Sequence, residues 1–248
     1  MIELTPAQRL IVAADFRLES SGPNGGTFAV RQRLRTFLKS LEGTGVTIKA
    51  NSLLRVFGYE LIREIQGYGL GVFADLKLND ISNTLKTDGE FLQTLQPEML
   101  TVMCSAGVGG MQALKAQLPL TEVLGVTVLT SLTSADTVRM FGTAPDSAAV
   151  RFAEMAKEAG IGGLISSAAE AHLLRKVVGE GMTINAAGIR PGAIVVGSDD
   201  QNPDRARTPL EAFEAGVDRI IVGRPIVEDP NPYDATMRII DSYAHLFA

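Results

Sequence analysis

Eight short apolar segments recur along the chain, and most of the stretches between them have the spacing of amphipathic helices. Short apolar runs bounded by turn residues are typical of strands buried on both faces, as in parallel sheets covered by helices. The predicted strands cover residues 9–15, 46–49, 71–77, 99–103, 123–129, 163–165, 183–186 and 219–222. The predicted helices cover residues 27–41, 52–68, 81–95, 111–118, 135–140, 146–159, 168–178 and 233–247.

Eight strand and helix units in 248 residues, with no linker between them, are the pattern of one (β/α)₈ barrel. The hydrophobic content of 46% is enough for a large core. We therefore expect residues 1–248 to form a single barrel domain of the α/β class. An open, doubly wound parallel sheet is the competing architecture, because it has the same alternation of elements.

Composition excludes several classes of function. The formal net charge is −5 and no long basic cluster occurs, which argues against a general nucleic-acid surface. The single cysteine, Cys104, excludes an internal disulfide, and two histidines are too few for a Cys/His metal cluster. A carboxylate-bound Mg²⁺ ion remains possible on composition alone.

No membrane segment is expected. The first residues carry an acid and lack an apolar core of signal-peptide length, and no run of about 18 apolar residues occurs in the sequence. We expect a cytoplasmic protein without a membrane partner.

The third predicted strand ends in charged residues with the spacing Asp75-x-Lys77-x-x-Asp80. Because side chains alternate along a strand, Asp75 and Lys77 should project to the same side and lie next to each other. Asp80 follows just beyond the strand, where a helix begins near Ile81. An ordinary loop with a salt bridge would also explain this spacing. The position of the three residues in the fold must therefore distinguish such a loop from a functional site.

A barrel brings such residues together, because the C-terminal ends of all eight strands meet at one mouth, where active sites lie. Asp15 ends the first strand, Lys49 the second, and Asp75 and Lys77 the third, while Arg224 follows the eighth. Charges gathered at one mouth are costly to desolvate unless they are paired, which favours a functional cluster over isolated surface ion pairs.

The loops after the last two strands have the composition of a phosphate site. Gly223 and Arg224 follow strand 8 directly, and the segments 188–191 and 197–201 belong to the loop after strand 7. Barrels frequently hold phosphate with these loops, and an arginine can bind it with two hydrogen bonds.

Five motifs lie at the predicted strand ends and the loops that follow them: Asp-Leu-Lys-Leu-Asn-Asp-Ile-Ser-Asn-Thr at 75–84, Val-Thr-Val-Leu-Thr-Ser at 126–131, Gly-Ile-Arg-Pro at 188–191, Asp-Gln at 200–201 and Val-Gly-Arg-Pro at 222–225. Together these motifs resemble one family, that of orotidine 5′-phosphate decarboxylase. The resemblance implies decarboxylation of orotidine 5′-monophosphate (OMP) to UMP in de novo pyrimidine biosynthesis. It also implies no metal and no other cofactor, and a homodimer with shared active sites.

The resemblance also implies roles for the charged residues. Asp15 resembles an acid that contacts the ribose, and Lys49 resembles the first lysine of a charged network. Asp75 resembles the acid beside the substrate carboxylate, and Lys77 the lysine that stabilises the C6 carbanion and protonates it. Asp80 is similar to a residue that reaches into the site of the neighbouring subunit.

The remaining contacts implied by the resemblance are with the substrate. Ile81 and Thr84 resemble residues that cross to the neighbouring subunit with Asp80, and Thr130 resembles a contact to the pyrimidine. The residues that resemble the phosphate-binding set are Arg190, Gln201, Gly223 and Arg224.

The sequence departs from the family pattern at three places. Lys49 is followed by Ala50 and Asn51, where many members have a small apolar residue and glycine. The turn after the first strand is long, and the segment 103–105 is Met-Cys-Ser where a histidine is commoner. These departures concern the ribose and barrel-lining contacts.

Two other functions are compatible with parts of the pattern. The 3-keto-gulonate-phosphate decarboxylases and hexulose-phosphate synthases share Asp-x-Lys-x-x-Asp, but they use Mg²⁺ and resemble one another in having a glutamate where this chain has Lys49. A lysine there would repel the metal. The other alternative is a catalytically silent barrel that binds a phosphate ligand, which the presence of Asp75, Lys77 and Asp80 disfavours.

Overall fold

Eight parallel strands close into a barrel in the order of the sequence, with β8 paired to β1. This computed structural model describes residues 4–18, 26–192 and 207–247. The strands are β1 (Leu10–Ala13), β2 (Thr47–Ala50), β3 (Gly71–Leu78), β4 (Met99–Met103), β5 (Glu122–Val126), β6 (Gly163–Ser167), β7 (Thr183–Ala187) and β8 (Arg219–Val222). The predicted (β/α)₈ fold is therefore confirmed, and the open sheet is wrong.

Helices surround the barrel. In chain order they are α1 (Gly26–Ser40), α2 (Ser52–Phe57), α3 (Leu61–Gln66), α4 (Ser82–Gln93), α5 (Gly107–Gln117), α6 (Ser134–Phe141), α7 (Pro145–Glu158), α8 (Ala171–Val178), α9 (Pro209–Glu214), α10 (Arg224–Val227) and α11 (Pro232–Ala244). Among the described residues, no helix is both long and apolar enough to cross a membrane.

The apolar core has two parts because the strands are buried on both faces. A small inner cluster fills the barrel itself and includes Ile11, Phe73, Met99, Leu124 and Ile221. A much larger outer cluster lies between the strands and the helices. This double burial explains why the strands appear in the sequence as continuous apolar runs rather than as alternating ones.

Several element boundaries differ from the predictions. The first strand ends at Ala13, so Asp15 lies in the loop beyond it and does not end the strand. The single helix expected over 52–68 is two helices, because Gly58 lies between them with a φ of 79° that continues neither. The fifth strand ends at Val126 and not at residue 129. The helix α9 before β8 was not predicted. It begins with a capping box in which Thr208 and Glu211 satisfy each other's backbone N–H groups.

Candidate active site

A cavity of about 300 Å³ opens at the C-terminal ends of the strands. Eight of the predicted site residues lie in its wall: Asp15, Lys49, Asp75, Lys77, Thr130, Arg190, Gly223 and Arg224. They come from the ends of β1, β2, β3, β5, β7 and β8, so the closing of the barrel brings them together.

Asp75 is at the centre of the charged group. Its carboxylate is buried, and its Oδ2 accepts a hydrogen bond of 2.6 Å from the Nζ of Lys77. The Nζ of Lys49 lies 3.5 Å from the same oxygen, and the Nδ2 of Asn51 donates to it at 3.4 Å. The hydroxyl of Thr101 donates to the other oxygen, Oδ1, at 2.9 Å. Both oxygens are therefore engaged by donors.

Lys49 links this group to the rim of the cavity. Its Nζ donates to both carboxylate oxygens of Asp15, at 3.1 and 3.2 Å. The Lys49 side chain is only 11% exposed, whereas that of Asp15 is 61% exposed. The ion pairs thus form a chain from the exposed Asp15 through Lys49 to the buried Asp75 and on to Lys77.

The charges around Asp75 decide its ionisation. Burial alone would raise the pKa of this carboxyl, but the positive charges of Lys49 and Lys77 and the hydrogen bonds from Lys77 and Thr101 outweigh it. The pKa of Asp75 therefore lies below its ordinary value, and the group is an anion at neutral pH. Its charge helps to keep the neighbouring ammonium groups in place.

The strand β3 is irregular where it carries these charges. Ala74 lies opposite Leu100 of β4, and Leu78 lies opposite Val102, so the regular pairing is interrupted between them. Lys77 adopts a φ of 50°, in the left-handed region that residues other than glycine rarely occupy. Bulges of this kind occur next to active sites, where they change the direction of a side chain.

The loop after β7 and the turn after β8 form the opposite side of the cavity. Gly188 has a φ of 82°, and beyond it Ile189 forms an isolated bridge with Arg207. The backbone N–H of Arg190 donates to the carbonyl of Arg207 at 2.9 Å. This bridge fixes the chain so that Arg190 lines the cavity together with Arg224. Gln201 lies outside the described residues.

Asp80, Ile81 and Thr84 are not part of the described wall of this cavity. Asp80 and Ile81 are exposed, with Ile81 71% exposed, and they line a separate surface groove with Ser105. Thr84 is half-buried in the first turns of α4. The structure therefore does not bring these three residues together with the charged group of their own chain.

Sequence reasoning missed several residues of the site. Arg17, Ser166 and Glu228 line the cavity, and Thr101 contacts Asp75 from β4. Thr101 gave a signal, because it is the one polar residue in the apolar run 99–103. Its partner was not predictable, because this depends on the pairing of β4 with β3.

Within the described ranges, no group of three or more histidine, cysteine, aspartate or glutamate side chains is arranged to hold a metal ion. In the cavity, Asp75 faces two ammonium groups instead of other carboxylates.

A family model described as "Orotidine 5'-phosphate decarboxylase / HUMPS family" matches residues 8–239. The chain belongs to this family. The resemblance found in the sequence is thereby confirmed, and the match covers nearly the whole barrel.

Family members with the name orotidine 5′-phosphate decarboxylase are similar over most of their length. A protein from Streptococcus gordonii is 36% identical over 181 residues, which are 72% of this chain and 77% of that protein. One from Vibrio campbellii is 30% identical over 248 residues, with 96% and 99% covered.

Solved structures have the same fold. The orotidine 5′-phosphate decarboxylase of Lactobacillus acidophilus is 26% identical, with a TM-score of 0.75 over 95% of this chain and 99% of that one. An uncharacterized conserved protein from Geobacillus kaustophilus has a TM-score of 0.76 at 23% identity over 94% of this chain, which supports the fold alone.

Proposed function

We propose that this family member decarboxylates OMP to UMP without a metal or an organic cofactor, as a step of de novo pyrimidine biosynthesis. One observation carries the proposal: the buried Asp75 carboxylate is bracketed by the ammonium groups of Lys77 at 2.6 Å and Lys49 at 3.5 Å in the mouth of the barrel. The names of the relatives from Streptococcus and Vibrio support the same activity.

The chemistry needs a fixed positive charge. Loss of carbon dioxide from C6 of the pyrimidine leaves a carbanion, and no ring carbonyl is placed to take up its charge by resonance. In this proposal the ammonium of Lys77 stabilises the developing charge more strongly than the ground state, which lowers the barrier. Lys77 then transfers a proton from Nζ to C6, and the C6–H bond of UMP forms.

Asp75 holds that ammonium in place. The short contact from Lys77 to Asp75 restricts the lysine side chain. Lys49 adds a second positive charge, 3.5 Å from the same carboxylate oxygen. In this proposal Asp75 lies beside the departing carboxylate, and the exposed Asp15 at the rim contacts the ribose.

The remote phosphate supplies binding energy. We assign it to Arg190, Gly223 and Arg224, with Gln201 as a further member, and the pyrimidine to Thr130. The two arginines lie in the cavity wall on the side of β7 and β8, which is where barrels of this type hold phosphate. Binding energy from a part of the substrate that does not react can be used to order the site around the reacting atoms.

The Mg²⁺-dependent sugar-phosphate branch is the alternative within the family. It is disfavoured because a metal at Asp75 would have to displace Lys77 and would lie close to the charge of Lys49. The deciding experiment follows the ultraviolet absorbance of OMP with purified protein in the presence of EDTA. We expect full activity. Activity that EDTA abolishes and Mg²⁺ restores would favour the sugar-phosphate branch.

We also propose that the active sites are shared in a homodimer. Asp80 and Ile81 are exposed and are not in the described wall of their own cavity, and an exposed isoleucine next to an exposed acid suits an interface between two copies. In this proposal Asp80, Ile81 and Thr84 complete the site of the second subunit.

Subunit mixing tests the shared site. Lys77→Ala and Asp80→Ala subunits are each nearly inactive in this proposal, but a mixed dimer collects both changes in one site and leaves the other intact. Random pairing makes half of the dimers mixed, with one good site in each, so activity should recover to about a quarter of wild type. No recovery after demonstrated subunit exchange would mean that Asp80 serves its own chain.

A further inference from the structure

We propose that Thr101 is a positioning residue for the reaction, because its side chain sets the geometry of Asp75 and Lys77 relative to each other. The proposal deepens the function proposed above and depends on it. Thr101 lies on β4, is fully buried, and has no assigned role in the charged group. Two contacts, one to each of the two charged residues, carry the argument.

The hydroxyl of Thr101 has a fixed direction. The backbone N–H of Lys77 approaches Oγ1 at 2.9 Å, and a backbone N–H only donates. An ionised carboxylate only accepts, so the hydroxyl must donate its proton to Oδ1 of Asp75, also at 2.9 Å. One hydroxyl therefore links the main chain of Lys77 to the side chain of Asp75, and the direction of both hydrogen bonds is determined.

The strand pairing explains why a side chain is needed at this point. Between the pairs Ala74–Leu100 and Leu78–Val102, the three residues 75–77 of β3 lie opposite Thr101 alone. A regular parallel ladder cannot satisfy the backbone of such a bulge. At this bulge the backbone N–H of Lys77 donates to the hydroxyl oxygen of Thr101 instead. The carbonyl of Leu76 accepts from the guanidinium of Arg55 at 3.3 Å.

Thr101 also limits the rotation of the Asp75 carboxylate. Lys77, Lys49 and Asn51 all approach Oδ2, whereas Thr101 holds Oδ1. Without the hydroxyl, Oδ1 would lose a donor in a buried place, and the N–H of Lys77 would lose its acceptor. The carboxylate and the left-handed main chain at Lys77 could then relax together, and the Lys77 ammonium would move from the position that the reaction requires.

A pair of substitutions tests this role. Thr101→Val keeps the shape of the side chain and removes the hydroxyl, while Thr101→Ser keeps the hydroxyl and removes a methyl group. We expect Thr101→Val to lower kcat by at least about tenfold, equivalent to about 1.4 kcal/mol in the barrier, with KM changed less than threefold. Thr101→Ser should recover most of the lost kcat.

The matched control is Thr236→Val. Thr236 is also fully buried, but its hydroxyl donates at 2.8 Å to the carbonyl of Pro232 in α11, on the outside of the barrel. This variant should keep the kcat of the wild type. Binding of UMP, which lacks the reacting carboxylate, measures the folded sites of each variant. It should be unchanged in Thr101→Val, and Thr101→Ala repeats the test without the hydroxyl if the valine variant does not fold.

The outcomes separate this role from the proposed activity. A wild-type protein that does not decarboxylate OMP refutes the proposed function itself. If the wild type is active, equal kcat in Thr101→Val and Thr101→Ser refutes the positioning role. A loss in Thr101→Val that appears equally in UMP binding also refutes it, because that loss would reflect damage to the whole site.

Discussion

The two ends of the barrel each contain a network of charged side chains, but the networks differ in what completes them. At the mouth, Asp75, Lys77 and Lys49 face the cavity, and the pairing continues to the exposed Asp15. At the opposite end, Arg219 and Glu122 form an ion pair inside the barrel. The network at the mouth comes from β1 to β4, and the one at the opposite end comes from β5, β7 and β8.

The network at the opposite end is complete in itself. The guanidinium of Arg219 contacts Glu122 at 2.9 Å and donates to Oδ1 of the fully buried Asn185 at 3.1 Å. The hydroxyl of Thr183 donates to the same glutamate at 2.6 Å, and the Nδ2 of Asn185 donates to the carbonyl of Leu164 at 3.1 Å. One positive and one negative charge balance within a set of satisfied hydrogen bonds.

The wall of the cavity at the mouth has an excess of positive charge, because three arginines and one glutamate lie in it besides the two lysines and two aspartates of the network. Two ammonium groups share the buried carboxylate of Asp75, and Arg190 and Arg224 line the same space. Such a cavity is suited to a ligand that carries negative charge at two separate places. Changes at the mouth should therefore alter turnover, whereas changes at the opposite end should alter stability.

The largest expected effect is that of Lys77→Ala on turnover. We expect kcat to fall at least about 10⁴-fold, about 5.4 kcal/mol in the barrier, because one group is proposed both to stabilise the carbanion and to protonate it. The urea midpoint should stay close to that of the wild type. Steady-state kinetics and urea unfolding measure the two quantities. Lys39→Ala, at an exposed position in α1, is the control and should be fully active. A Lys77→Ala variant with more than about a tenth of wild-type kcat would remove Lys77 from its role.

The next effect is on stability and concerns Arg219→Met. Removing one partner of a buried ion pair leaves Glu122 without its positive charge and the Oδ1 of Asn185 without its donor, so the free energy of unfolding should fall by about 3 to 5 kcal/mol. Turnover per folded molecule should be unchanged. Urea unfolding with Arg238→Met as the control, at a pair whose arginine side chain is 64% exposed, gives the comparison. If the free energy of unfolding fell equally in both variants, burial would not distinguish the two ion pairs.

Arg224→Ala should lower turnover and leave stability nearly unchanged, which is the reverse of the effect of Arg219→Met. The two arginines are nevertheless close in the chain, because Arg224 follows the strand that begins with Arg219. Loss of a charge-assisted phosphate contact should lower kcat/KM about 10- to 100-fold, about 1.4 to 2.7 kcal/mol, with stability nearly unchanged. KM should rise and kcat should fall. Added phosphite with a phosphate-free nucleoside substrate should activate the wild type more than the variant. Equal activation of both proteins would exclude Arg224 from the phosphate site.

The smallest effect is that of Asp15→Asn on stability. The pair between Asp15 and Lys49 has nearly the same length as a buried pair, but the Asp15 side chain is 61% exposed, and exposed pairs contribute at most about 1 kcal/mol. The free energy of unfolding should therefore change by less than about 1 kcal/mol, while KM for OMP rises. Glu122→Gln is the buried counterpart. A loss for Asp15→Asn as large as that for Glu122→Gln would contradict the difference between the two ends.

The sequence predicts the barrel well because strands buried on both faces leave an unmistakable apolar run, and because the ends of those strands carry the charges. Alternation along β3 correctly places Asp75 and Lys77 side by side. It does not predict the φ of 50° at Lys77, because this depends on how β3 pairs with β4. The contacts of Thr101 with Asp75 and Lys77 could not be predicted from the sequence for the same reason.

Other parts of the site depend on contacts that a local pattern does not contain. The break at Gly58 divides a stretch whose apolar spacing is helical throughout, since a glycine in mid-pattern is compatible with either one helix or two. Asp80 follows the charged motif directly in the sequence, but it lies beyond the strand and faces outward. Spacing alone could not separate it from the residues of its own cavity.

The pairing of β1 with β8 places the ring closure between residues that are far apart in the chain, such as Leu10 and Ile220. Nearby, the hydroxyl of Tyr243 donates at 2.9 Å to the carbonyl of Pro6, 237 residues away. Long-range closure of this kind is entropically costly and comes late in folding. During synthesis on the ribosome, Lys49, Asp75 and Lys77 emerge long before the strand that closes the ring and before Arg224. The newborn chain must therefore keep its apolar strands from aggregating until β8 arrives, and catalytic competence should appear abruptly at that point.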